Sequence, residues 1–349
     1  METKRFKVAD TVFSVSLEEP FRFMRYTPAV LERIAVAAKG GAPDVLPTRA
    51  GDDVPPRTLI RSREELSGDR TKYDLNFSQY EPFAYDGPRS DDFSLKVCAQ
   101  EPEWLAAQMA DGTIRLIMSV DERPPIYYIY DRDGDTFYTF DADEGHIAGT
   151  LFISADGSRG EYYPKPGMSA STTNFQLSTA LMMFFTHSAS RKGSLLMHAS
   201  VIRHNGKANL FFGTSGTGKS THSRLWLGSI EGCDLVNDDN PVLSAEEDGI
   251  FVYGTPWSGK TPCYRNLRVP VRALVRLEQA PENVIRRISG LSAYGSVIAS
   301  ASSIRWKRDV MDRISAAAEA ISMGTTCWEL KCLPDSAAAI LCQKTIERE

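Results

Sequence analysis

The sequence predicts an α/β protein, with a mixed β-sheet core in its C-terminal half and a β-rich domain in front of it. Three observations carry this reading. Residues 1–165 hold short apolar and aromatic runs separated by Asp- and Gly-containing turns. Composition changes near Pro164-Lys165-Pro166-Gly167. Residues 166–349 then alternate helix-spaced apolar segments with short strands around one glycine-rich loop.

In the first part, Thr11–Val15, Ile114–Met118, Ile126–Tyr130, Phe137–Phe140 and Thr150–Ile153 read as strands. The turn Asp131-Arg132-Asp133-Gly134-Asp135 resembles a calcium loop only in its acids. Its glycine comes too early and no glutamate closes it, so a solvated hairpin turn is expected. Residues 40–90 are rich in Pro, Gly, Asp and Arg and read as long loops.

Past the boundary, Leu177, Leu181, Phe184 and Phe185 have helical spacing. A helix over residues 174–187 is expected to pack on the C-terminal core, with Thr172 or Thr173 as its cap. Leu195–Ile202 reads as a strand, and Asn205-Gly206 turns it back into Ala208–Phe212. Beyond the loop, strands are expected at Asp234–Val236, Pro241–Leu243, Ile250–Tyr253 and Val271–Leu277. Two helices follow, one over Ile304–Ser322 with Gly324 as its stop, one starting after Pro334 and running through Ala337 to Ile346.

The loop is Gly213-Thr214-Ser215-Gly216-Thr217-Gly218-Lys219-Ser220-Thr221, between an apolar strand and a helix. Glycines let consecutive backbone N–H groups turn toward phosphate oxygens, and a helix N-terminus adds partial positive charge. Lys219 suits the outer phosphates of ATP or GTP, and the Ser220 hydroxyl suits Mg²⁺. Asn237-Asp238-Asp239-Asn240 follows about twenty residues later at a strand end, where two carboxylates can divide metal binding and proton transfer. His198 sits on the neighbouring strand. Lys260 and Arg265, in the Gly- and Pro-rich stretch Tyr253–Asn266, are cations suited to a phosphoryl group or an acidic substrate. Arg286 and Arg287 read as surface charges.

From His198 to about residue 280 the chain resembles the HPr kinase/phosphorylase group and, more distantly, ATP-dependent phosphoenolpyruvate carboxykinase. Met197-His198-Ala199, the loop, and Leu235-Val236-Asn237-Asp238-Asp239 carry the likeness; Gly259–Arg265 is a fainter match to a carboxykinase segment. The resemblance implies a P-loop kinase core with ATP and Mg²⁺. It implies a site of His198, Lys219, Ser220, Asp238 and Asp239, with Asp238 as base and Asp239 as metal ligand. Thr221 stands where the HPr enzymes carry glutamate, and Trp257-Ser258-Gly259-Lys260 replaces their Glu-Arg-Gly signature. The resemblance therefore speaks to the nucleotide and leaves the acceptor open: a hydroxyl on a small molecule, peptide or protein. A carboxykinase-type reaction and an ATP-binding regulatory module are the alternatives.

Composition narrows the setting. A net charge of −5 without a basic block argues against nucleic acid and anionic membranes. The six cysteines lack zinc-ligand spacing and read as free thiols. The most apolar run, Leu181–Phe185, is far short of the roughly 20 residues a bilayer demands. A cytoplasmic protein, with oligomerisation possible, is the expectation.

Overall fold

The computed structural model describes residues 1–39, 73–120, 127–141, 147–259 and 261–348. Contacts divide the chain into two compact units, built mainly from residues up to Ser188 and from Ala189 onward. The fold is α/β with mixed sheets and a β-rich N-terminal region.

The first unit centres on an eight-stranded sheet. Its strands are β1 (Glu2–Val8), β2 (Thr11–Leu17), β5 (Phe93–Val97), β6 (Arg115–Val120), β7 (Tyr127–Arg132), β8 (Asp135–Asp141), β9 (Ile147–Ile153) and β10 (Arg159–Pro164). A short pair, β3 (Arg22–Phe23) and β4 (Asp74–Leu75), lies apart, and helix α2 (Glu103–Ala110) interrupts the strands in sequence, whereas helix α1 (Pro28–Lys39) groups from Ala29 onward with the second unit. The order is β1-β2-β5-β10-β9-β8-β7-β6, parallel through β2, β5 and β10 and antiparallel from β10 to β6. The Asp131–Asp135 turn is a β7–β8 hairpin, with Asp133 and Gly134 at φ of 51° and 89°.

Helix α3 (Ala170–Ala189) corrects one expectation, because it packs on this sheet and not on the C-terminal one. Phe184 lies 4.2 Å from Phe93 between ring centroids, and Phe185 meets Phe13 edge-on at 6.5 Å. Gln176 accepts from the Tyr162 hydroxyl at 3.2 Å. Apolar spacing marks which face of a helix is buried without naming the sheet that buries it; here the aromatic side chains of β2 and β5 supply the partner. Of the expected 40–90 loops, residues 40–72 lie outside the described residues. Residues 73–90 hold β4 and a 3₁₀ turn, Ser78–Phe83, that buries Tyr80 and Phe83.

The second unit contains β11 (Ser194–Leu196), β12 (Ala199–His204), β13 (Lys207–Phe212), α4 (Lys219–Ser229), β14 (Asp234–Asp239), β15 (Val242–Glu246) and β16 (Gly249–Tyr253). It continues with β17 (Arg268–Gln279), β18 (Val284–Ile288), α5 (Gly290–Ser300), α6 (Arg308–Gly324), β19 (Thr326–Cys332) and α7 (Ser336–Ile346). Across the main sheet the strands run β14-β12-β13-β17-β19-β18, and the start of β17 also carries β16, β15 and β11. β13, β17 and β19 are mutually parallel. Alternate side chains feed two cores: Leu210, Phe212 and Leu274 pack under α5 and α6, while Phe211, Val275 and Leu330 pack under α4 and α7. Helix α5 and strand β18 were not anticipated. No described helix is long and apolar enough to cross a membrane, and all six cysteines are free thiols.

Candidate functional site

The glycine loop leaves β13 at Phe212 and enters α4 at Lys219. Gly213, Gly216 and Gly218 take φ of 151°, 83° and 99°, values closed to most other residues. A Cβ on Gly213 would stand 2.9 Å from the Leu277 carbonyl of β17, so the loop starts hard against that strand. The Thr217 hydroxyl bonds the Thr214 carbonyl, and Gln279 Nε2 donates to Gly216 O at 3.2 Å. Lys219 folds inward: Nζ donates to Gly213 O at 3.1 Å and Thr214 O at 3.3 Å. Burial lowers its pKa, while the Asp239 and Asp238 carboxylates pull the other way.

Sheet register places the acids relative to the loop. Phe212 pairs with Ala199 of β12, and Ala199 pairs with Asp239 of β14. The loop start and the acid pair therefore sit at one sheet edge two strand steps apart, about 10 Å. Asp239 carries φ of 137°, a conformation an L-residue rarely adopts, and its Oδ1 lies 3.0 Å from His198 Nδ1. His198 itself falls between β11 and β12, anchored by its N–H to Ser300 O at 2.8 Å. Asp238 is 3% exposed, and its Oδ1 has no hydrogen-bond partner among the described residues. A buried carboxylate oxygen without a donor costs free energy until a proton or cation reaches it. Ser220, half-buried, and Thr221 begin α4.

The segment after β16 closes over β14. Ser258 bridges to Asp239, and Gly259 N–H donates to Asp238 O at 2.5 Å. Asn237 Nδ2 reaches Thr255 Oγ1 at 3.2 Å. Lys260 lies outside the described residues. Arg265 is a correction: it is 3% exposed, and Nη1 donates to Asp234 Oδ2 at 2.9 Å and to Leu235 O. Asp234 opens β14 and Asp239 ends it, some 16 Å away along an extended strand. Arg265 thus clamps the far end of β14, with Arg203 on the same carboxylate at Oδ2.

Sequence reading missed two features. A cavity of about 590 Å³ borders the loop, lined by Thr217, Thr221, Leu225, Leu277, Pro281 and Pro334 among others. His222 also lines it. Trp226 Nε1 donates to His222 Nε2 at 3.1 Å, so the proton sits on Nδ1, which is buried without a partner among the described residues. Second, Arg286 is the exposed surface charge expected, at 67% side-chain exposure, but its Nε also bonds Glu329 Oε2 at 2.6 Å. Neither carries a local motif.

Among the described residues no group of three or more His, Cys, Asp and Glu could hold a metal ion by itself. A magnesium ion bridging phosphates takes only one or two carboxylates and a hydroxyl from protein, and Asp238, Asp239 and Ser220 supply those group types.

Residues 165–326 match the family model described as ScmC, SynChlorMet cassette protein ScmC. The match covers less than half of the chain and includes the loop, His198 and the acid pair. No curated protein matches it.

Proposed function

We propose that this chain is an ATP- and Mg²⁺-dependent phosphotransferase that moves the γ-phosphoryl group to a hydroxyl, on a P-loop kinase core of the HPr kinase type. The hydroxyl belongs to a small molecule, a peptide or a protein, a serine being the favoured case. One observation carries the reading: the glycine loop with inward-turned Lys219 and the Asp238–Asp239 pair share a sheet edge, two strand steps apart. The loop amides of Gly213–Thr221 and the α4 N-terminus would receive the phosphates, and Lys219 would offset charge on the outer ones. The cavity beside Thr221, which His222 also lines, suits the nucleoside. Mg²⁺, held by Asp239 and the Ser220 hydroxyl with Asp238 alongside, would supply charge neutralisation across the phosphates.

Asp238 would take the proton of the attacking hydroxyl as its oxygen bonds to the γ-phosphorus and the bond to the β–γ bridging oxygen breaks. His198 holds Asp239 in place for its share of the work. Lys260, which follows Gly259 in sequence, is a second cation for the transferring group. The strain at Asp239 favours a working site over a passive nucleotide sensor, which has no use for such a residue.

With ATP and Mg²⁺, the purified protein should turn over ATP, and Lys219→Ala or Asp239→Asn should each reduce the rate by about 100-fold or more. Turnover unchanged in both variants refutes the reading. γ-Labelled ATP offered with free serine, peptides and cell extract, with the label then located by mass spectrometry, names the acceptor.

A further inference from the structure

The row of paired residues that joins the loop to the acids continues on its other side. Phe212 pairs with Arg276 of β17, Arg276 with Glu329 of β19, and Glu329 with Arg286 of β18. Alternation along the strands sends Arg276 to the α5 side of the sheet, the side that takes Phe212 and Leu274. There Arg276, Arg286 and Glu329 line a cavity of about 350 Å³, closed by Ser292, Gly295 and Ser296 of α5.

The charges in this cavity do not cancel. Glu329, 4% exposed, receives Arg276 Nη2 at 2.6 Å through Oε1 and Arg286 Nε at 2.6 Å through Oε2. One buried carboxylate thus fixes two guanidinium groups. Glu278 adds a longer contact to Arg276 Nη2 at 3.4 Å but is itself paired with Lys331 at 3.3 Å. Nε and Nη1 of Arg276 and both Nη atoms of Arg286 have no partner among the described residues. Two planar forks held by a shared carboxylate, with donors left over beside a cavity, form a receptor for a carboxylate or phosphate. A single structural ion pair would need only one of them.

We infer that Arg276 and Arg286 bind an anionic group of the acceptor, so that the substrate is an extended acidic molecule, its carboxylate or phosphate held three or more strand spacings, about 14 Å, from the strand that carries Asp238. This rests on the phosphotransferase reading and deepens it. Arg276 stands one strand from Phe212, about 5 Å, and Arg286 two strands further. The anion would therefore be held across the loop from the acid pair, so the acceptor would have to pass over the sheet edge to bring its hydroxyl to Asp238, which pairs with Ser200 on the α4 face.

The test is an anion titration of protein saturated with Mg²⁺ and a non-hydrolysable ATP analogue, which occupies the loop. Inorganic phosphate followed by ³¹P and acetate followed by ¹H line broadening are the two probes. At least one should bind, with affinity lowered 10-fold or more by Arg286→Gln, a change on an edge strand that leaves Glu329 paired with Arg276. Arg276→Lys keeps the charge, loses the fork and should also weaken binding. Preference for phosphate points to a phosphorylated acceptor, and preference for acetate to a carboxylic acid. Equal affinity in wild type and Arg286→Gln overturns the inference. Analogue binding by wild type is measured first; its absence defeats the phosphotransferase reading alone, and the anion titration then proceeds on Lys219→Ala without nucleotide.

Discussion

Asp239 sits at φ of 137° with a carboxylate only partly covered and a histidine 3.0 Å away. An L-residue held in such a region costs roughly 1–3 kcal/mol, and surroundings that enforce it point to use of the side chain. Glycine at this position escapes the strain, whereas alanine keeps it and loses the carboxylate. Asp239→Gly should accordingly be more stable than Asp239→Ala by about 1 kcal/mol or more in urea unfolding, the reverse of the usual order inside a strand. Both should lose nucleotide turnover together with the carboxylate. An alanine variant as stable as the glycine one would mean the backbone at residue 239 is relaxed.

The segment between β16 and β17 acts as one element, a strap whose two ends do different things. Near its start, Ser258 and Gly259 hold the Asp238–Asp239 backbone. Near its end, Arg265 is buried against Asp234 and the Leu235 carbonyl, and the Arg265 carbonyl occupies the space a Cβ on Gly254 would need. Removing a buried charge partner typically costs about 3–5 kcal/mol; here Arg203 keeps Asp234 paired, so Arg265→Ala should cost about 2 kcal/mol. Urea unfolding measures that, and calorimetric titration should find the affinity for an ATP analogue within a few-fold of wild type. A large loss of nucleotide affinity with stability intact would return Arg265 to the site. Sequence placed this cation in the site because Gly and Pro density marks a structured loop without saying which residues turn inward. The strand–loop–helix of residues 207–229 was readable for the opposite reason, since every signal in it is local. Arg276 and Arg286 were not readable: their meaning comes from register between strands separated by some fifty residues. Helix α5, rich in Ala, Ser and Gly, carries no strong apolar stripe, and β18 is a half-exposed edge strand.

For the molecule as a whole, the response to acid depends on a group that is unremarkable in sequence. His222 is 2% exposed, stacked edge-on against Phe211 at 4.7 Å, and accepts from Trp226, so burial pushes its pKa from 6.5 down to about 4. The folded protein therefore holds this ring neutral through a pH range in which the unfolded chain protonates it. Above about pH 6.5 both states are neutral and the ring leaves stability independent of pH. As pH falls from 6.5 to 4 the unfolded state gains a proton that the folded state refuses, and stability drops by roughly 3 kcal/mol. Below about pH 4 both states are protonated and the loss is complete. His222→Gln retains an acceptor for Trp226 but does not titrate. Carboxylates contribute alike to both proteins and cancel in the difference. Urea unfolding from pH 7 to 4 should thus show wild type losing about 3 kcal/mol more than the variant. Parallel curves would mean that the His222 ring meets water or a carboxylate in solution, and would remove it from the apolar cavity assigned to the nucleoside.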